Sequence, residues 1–441
     1  MNRITRTLLA AGLLALMADA ANALNFQVNT VQDLPEVNPG DGFCQPEGAI
    51  LGFCTLRAAI MEANASPGNH VITLPASNLQ FILSRDGALS EDGALTGDLD
   101  IHGHITIRSN GGQRPTVSGG FIDRVFDVHP GATLIIENVD VGGGISTRGG
   151  AIRVRATSEA IGILAIENAW ISLNIAEEGG AIHNGGAMIL NRVELFNNAL
   201  TDDELGVFAR GAAIFNSGEA YINNSTLRTN GVIPGGGADL VPDPHVIFNV
   251  RNVVTEGPHR LVISNSTIYD NTNGIFSDGV ATALKHVTMT NNGAEGLVLS
   301  PNMVPLEPHF AIEHSVIHGH GKDCNDFPIG DPVYDVNGNF NASSDTSCGF
   351  GGLDGFENIT DPFADDPVHF DGATTVLMPH FDSVLIDPVG GDCAELPTDQ
   401  RGMARPVDGN DDGLSICDIG AVEYDPFVDP NGVFSDSFEN S

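Results

Sequence analysis

Lysine is almost missing from this 441-residue chain: Lys285 and Lys322 are the two present. There is one Trp, and there are four Tyr. Charged residues make up 17%, so much of the polar surface must come from Asn, Ser, Thr and Gly. Cationic groups are outnumbered, with 19 Lys plus Arg against 57 Asp plus Glu and a formal charge of -38. Such a surface repels phosphate backbones and anionic lipid, which excludes nucleic acid as a partner. No stretch reaches the ~20 apolar residues of a membrane-spanning helix. No CxxC pair, H-E-x-x-H helix, G-x-S-x-G elbow or P-loop occurs.

What is present begins with an export signal over residues 1–23. Arg3 and Arg6 precede the apolar run Leu8–Met17, and Ala21-Asn22-Ala23 is a cleavage signal. Export makes disulfides the natural state of the six cysteines, Cys44, Cys54, Cys324, Cys348, Cys393 and Cys417. Several pairings are open in principle, and their spacing favours local pairs, 44–54, 324–348 and 393–417.

The middle of the chain repeats. Leu134-Ile-Ile-Glu-Asn138 returns as Leu164-Ala-Ile-Glu-Asn168, and again around Asn191, Asn224, Asn265, His286 and His314. Gly149-Gly-Ala-Ile152, Gly179-Gly-Ala-Ile182 and Gly211-Ala-Ala-Ile214 form a second recurrent motif. Each copy alternates apolar and polar residues, as a half-buried strand does, and no long helical period intervenes. These features point to an all-β solenoid, a parallel β-helix. The recurrent Asn or His is expected at a bend, because Asn tolerates a left-handed backbone, and stacked copies would form a hydrogen-bonded ladder. A solenoid needs caps. Leu56–Ala65, with Thr55 as N-cap, reads as a short capping helix. The boundaries are then 24–70 for the N-terminal cap, 71–322 for the β-helix, 323–425 for the disulfide-containing C-terminal cap and 426–441 for a flexible tail.

Two segments carry a resemblance. Cys54-Thr-Leu-Arg-Ala-Ala-Ile-Met-Glu-Ala-Asn-Ala65 resembles the CSLREA domain of bacterial exported proteins, with Thr55 for Ser and Ala58 for Glu. Asp399-Gln-Arg-Gly-Met-Ala-Arg-Pro406 with Cys417-Asp-Ile-Gly-Ala-Val-Glu423 is similar to the choice-of-anchor Q domain. The tail Val433–Glu439 is similar to a short tail of some Gram-negative exported proteins. The resemblance implies a right-handed parallel β-helix, secreted or held at the surface of a Gram-negative cell. It implies no catalytic residues.

Candidate chemistry is sparse. Asp408-Gly-Asn410-Asp411-Asp412-Gly413 matches the first half of a calcium loop, with Asp418 one residue short of the position of the missing bidentate Glu. Asp408, Asn410, Asp412 and Asp418 are therefore candidate ligands for a structural Ca²⁺; no other cofactor is required. Asp202-Asp203-Glu204 and Glu177-Glu178 read as solvated acidic turns. His318-Gly-His320 is similar to the G-H-G element of polygalacturonases, but Asn273 stands where that family has Asp, and R-I-K is absent. Arg148, Arg153 and Arg155 form the one close basic group. The expectation is a rigid, non-enzymatic surface for adhesion or glycan contact. The alternative is a polysaccharide lyase or glycoside hydrolase.

Overall fold

The computed structural model describes residues 23–48, 52–87, 91–201, 209–233, 244–251, 259–300, 310–325, 334–335, 340–352, 354–364, 367–370, 374–388, 393 and 396–427. Asp202, Asp203, Glu204, most of the expected export signal and residues 428–441 lie outside them. The chain folds as a right-handed parallel β-helix, the hand that parallel crossovers take. Ile163 pairs with Ala187, Ala187 with Glu219, Glu219 with Arg260 and Arg260 with Ala281, all in parallel. Equivalent residues of successive coils thus lie one strand spacing apart, about 4.8 Å. Coil length varies while the register between strands holds.

A coil carries strands in up to three sheets, joined by sharp corners. In the coil that starts at Ile163, the strand Ile163–Ser172 belongs to a 17-stranded sheet, here sheet I. Ile175–Glu178 belongs to a four-stranded sheet II, and Ile182–Asn184 to a nine-stranded sheet III. Alternate side chains of each strand point inward and form one continuous apolar core, including Ile152, Ile182, Ile214, Ile247 and Ile275 stacked in register.

Sheet I is creased by a left-handed residue in seven successive coils. Asn138, Asn168, Arg192, Asn224, Asn265, His286 and His314 have φ between 45° and 56°. The expected bend is therefore present, with one shift. Asn191 pairs with Glu167, so Arg192 occupies the bend and Asn191 stands one residue before it. The Asn191 amide still donates to Glu167 (2.6 Å) and accepts from Asn224 (2.8 Å). Asn168 donates to Asn138 at 2.7 Å. Asn265 donates to Thr398 of the C-terminal region instead of to a neighbouring coil. His286 and His314 stack as rings, 4.7 Å between centroids. The Gly-Gly motif has a steric cause. Gly149, Gly179 and Gly211 have φ of 62–71°, and a Cβ there would approach a carbonyl oxygen within 2.2–2.3 Å.

Helix α1, Leu56–Ala65, covers the first coils. Thr55 caps it by accepting from the Ala58 N–H. Arg57 is fully buried. Its guanidinium grips Asp33 through two bonds (2.6 and 3.2 Å) and donates to the carbonyls of Ala94, Gly97 and Asp98. Glu62 accepts from the N–H groups of Gly40 and Gly42, both at 2.6 Å. The disulfide Cys44–Cys54 lies beside the helix, and Cys324–Cys348 and Cys393–Cys417 are likewise paired.

The C-terminal region both continues the stack and returns along its flank. Ala342–Ser343 pairs with Val316–Ile317. Thr375, Thr398, Gln400 and Ala421 lie against the outer face of sheet I. Thr226, Thr267 and Thr288, consecutive in register, meet Gln400 and the Ala421 N–H at 2.6–2.9 Å. Buried Glu194 accepts from Thr375. Within this region Asp399 pairs with Arg401 (2.9 Å) and Arg405 with Glu423 (2.7 Å), all four side chains fully buried. Burial raises the Asp418 and Glu423 carboxyls above the ordinary carboxylate range.

Two outcomes follow for stability. Arg57→Met leaves Asp33 buried without its cation and should cost about 3–5 kcal/mol in denaturant unfolding; an unchanged midpoint would refute the clamp. Burial holds His286 neutral, and Arg405, His314 and Lys285 push in the same direction. The unfolded chain therefore binds more protons there, and stability falls as pH drops below about 6.5. His286→Asn, which suits the left-handed bend, should make the fall in melting temperature between about pH 6.5 and 5 shallower.

Candidate functional site

Two surface features are built by the stacking. The first is a trough at the corner between sheets I and II. Leu173, Asn197, Thr229, Asp270 and Asn291 occupy a second left-handed bend, with φ of 50–60°. The residue after each bend is an inward Asn. Asn174, Asn198, Asn230, Asn271 and Asn292 are all buried and bonded in series, Nδ2 to Oδ1, at 2.8, 3.0, 2.9 and 2.8 Å. This is the longest amide ladder among the described residues, and sequence reading missed it. Asn198, Asn230 and Asn271 sit at strand ends next to polar neighbours, where they look like ordinary turn residues. Their shared spacing from the preceding bend was the available signal.

The ladder fixes the corner above it. Asn197, Thr229, Asp270, Gly231 and Thr272 line an open trough of about 420 Å³. Burial raises the Asp270 carboxyl above its ordinary value. Phe196, Arg228 and Tyr269, in register, precede the three bend residues. The Arg228 guanidinium lies 4.5 Å over the Phe196 ring and is bonded to Glu194, and Trp170 meets Phe196 edge-on at 6.0 Å. The trough thus offers one polar bend side chain per coil, an amide, a hydroxyl and a carboxylate in turn, beside half-buried aromatic rings.

The second feature is an outward row on sheet III: Asp100, Asp127, Arg153, His183, Phe215, Phe248 and Phe276, each in register with the next. His183, Phe215, Phe248 and Phe276 stack face to face, with centroids 4.6–5.9 Å apart. Their faces are used by one another, and Arg210 lies 5.1 Å over Phe248. At the charged end, Arg155 binds Asp127 through two bonds (2.6 and 2.8 Å), and Arg124 reaches both Asp98 and Asp127. Burial pushes the Asp98 carboxyl up to about 7 against the pull of Arg124. Arg148 pairs with Glu178 (2.9 Å), which also lies 3.6 Å from His183. The basic group of Arg148, Arg153 and Arg155 is thus engaged with carboxylates. Glu178 lies in a sheet II strand and is paired, contrary to the expected solvated turn.

The other candidates separate. Asp408, Asn410 and Asp412 turn their oxygens onto N–H groups of their own loop, at 2.9–3.1 Å. Asp418 does not join them. It is buried and accepts from the N–H groups of Asp387 (2.9 Å) and Tyr424 (2.6 Å). Gly319, with φ 71°, turns the chain between His318 and His320, so the two do not share a face. His318 is half-buried near Thr290, while His320 is bonded to Asp323 and the last ladder amide, Asn292. Among the described residues, groups with closely spaced metal-binding atoms are Asp100, His102 and His129, and Asp98, Asp100 and Asp127.

No family model and no curated protein matches the chain. Two solved structures are similar. Pectate lyase Pel9A aligns over 91% of this chain and 96% of its own at 13% identity, with a TM-score of 0.46. A rhamnogalacturonan lyase aligns over 73% of each chain at 11% identity, with a TM-score of 0.35. At these values the likeness says nothing about chemistry.

The ladder makes a direct prediction. Asn198→Ala strands buried partners on Asn174 and Asn230 and should cost about 1–3 kcal/mol in unfolding. A neutral effect in calorimetry would show that the corner does not rely on the amides.

Proposed function

We propose that this is an exported, non-enzymatic β-helix protein whose corner trough binds an extended glycan. The observation that carries the reading is the repetition of Asn197, Thr229 and Asp270 at identical bends of successive coils. An extended polymer can meet such a row with one polar side chain per coil, an amide, a hydroxyl and a carboxylate in turn. The half-buried Trp170 and Phe196 supply apolar surface alongside. Among the described residues Asp270 is the carboxylate that lines the trough. The disulfides and the apolar, Arg-led N-terminus support export, and no helix among the described residues is long and apolar enough to cross a membrane. Membership of the CSLREA and choice-of-anchor Q group fits the roles of Arg57 and of the Asp399–Glu423 segment as clamps.

A second reading, a polysaccharide lyase or hydrolase, draws on the partly exposed Arg148, Glu178 and His183, which place a cation, a carboxylate and an imidazole together. Binding and cleavage are separated by one set of measurements. The mature protein is presented with arrayed neutral glycans and polyuronates, with and without Ca²⁺, and reducing ends are assayed in parallel. Thr229→Arg fills the trough, and Arg192 shows that arginine is accommodated at a left-handed bend of this fold. Retention of a glycan by the native protein, weakened at least about tenfold by Thr229→Arg, is expected. Equal retention by both proteins, or release of reducing ends, would sink the binding reading.

A further inference from the structure

We infer that Asp100, His102 and His129, with Asp92 beside them, form a site for one divalent transition-metal ion such as Zn²⁺. Asp100 pairs in register with Asp127, and Ile101 with Val128, so the next residues, His102 and His129, are equivalents in adjacent coils. Stacking therefore brings two imidazoles together at one corner, with ring centroids 4.0 Å apart. His129 Nε2 lies 2.8 Å from Asp100 Oδ1 and 3.8 Å from Asp92 Oδ1. One ligand atom from each of Asp100, His102 and His129 falls within 4.8 Å of the others. Ligands bound at ~2.1 Å around one ion are themselves roughly 3–3.5 Å apart when tetrahedral, so small adjustments seat the metal.

Charge supplies an argument independent of that spacing. Asp98, Asp100 and Asp127 are buried carboxylates with oxygens within 4.8 Å of one another. Arg124 serves Asp98 and Asp127, and Arg155 serves Asp127. Asp100, wholly buried, is left with the His129 imidazole as its ion-pair partner among the described residues. A buried carboxylate without a full positive charge is costly, and a bound cation offsets that cost. The outer groups already orient the ligands. The Ala94 N–H holds Asp100 Oδ2 at 2.9 Å and leaves Oδ1 facing His129, while Arg155 holds Asp92 at 2.9 Å. Two imidazoles with carboxylates favour Zn²⁺ and its neighbours over Ca²⁺, which prefers oxygen alone. The ion would fasten residue 92 and the first two coils together beneath helix α1, whose Asn64 bonds the Asp100 carbonyl and the His102 N–H.

The test uses the untagged mature protein, stripped with chelator. Zn²⁺ is titrated calorimetrically, and bound metal is counted by elemental analysis. One equivalent per chain is expected, together with a higher melting temperature. His102 is exposed, so His102→Ala should retain the fold, checked by circular dichroism, and weaken binding at least about tenfold. His104→Ala, an exposed histidine outside the group, should leave binding unchanged. The inference is overturned if no saturable Zn²⁺ binding occurs, if His102→Ala binds as the native protein does, or if His104→Ala loses as much. Glycan retention is a separate measurement, so either result can fail without the other.

Discussion

Everything in this molecule depends on like residues lying over like residues at one strand spacing. The parallel register forces each side chain to face its equivalent in the coil before and the coil after. Favourable self-pairs are therefore repeated: Ile on Ile in the core, Asn on Asn at the corner, Phe on Phe outside sheet III. Unfavourable self-pairs must be broken or compensated. The stacked carboxylates Asp100 and Asp127 are followed by Arg153, and Arg124 and Arg155 converge on Asp127 from the side. A chain with so few cations commits a substantial part of them to such repairs. That accounts for the failure of the Arg148, Arg153 and Arg155 group to stand as an open basic patch.

The architecture was legible in the sequence because alternation and recurrence are local signals. Asn138 and Asn168 could be assigned to a bend from the pattern alone, since a recurring Asn at a strand break needs a left-handed backbone. Arg192 could not, because the neighbouring Asn191 fits the motif better as text than as register. Only the pairing of Asn191 with Glu167 decides between them. The buried amide series from Asn174 to Asn292 was hidden for a related reason. Coil length varies between its members, so no fixed period aligns them.

The corner trough was not legible at all, since its walls come from residues 32 to 41 positions apart that only the coil register brings together. The clamps were half legible. The segments containing Arg57 and Asp399–Glu423 stand out as motifs, but the motif does not say what the arginine holds. Arg57 reaches Asp33 and three carbonyls of a later loop, contacts with no counterpart in local sequence. The calcium-like loop shows the converse. Its first three candidates, Asp408, Asn410 and Asp412, share one loop whose N–H groups bond to their oxygens, while Asp418 is turned inward and does not join them.

Where function can reside follows from which faces remain free. The part of the outer face of sheet I around Thr226, Thr267 and Thr288 is covered by the returning C-terminal region. The rings outside sheet III spend their faces on each other. Corners are different, because the chain must turn there whatever its side chains are, and the inward amide ladder carries the structural load. That frees the outward residues Asn197, Thr229 and Asp270 to vary in type without loosening the core. A corner is therefore the place where a solenoid can acquire a ligand at least cost to its own stability, and a row of corners favours a ligand that is itself a row.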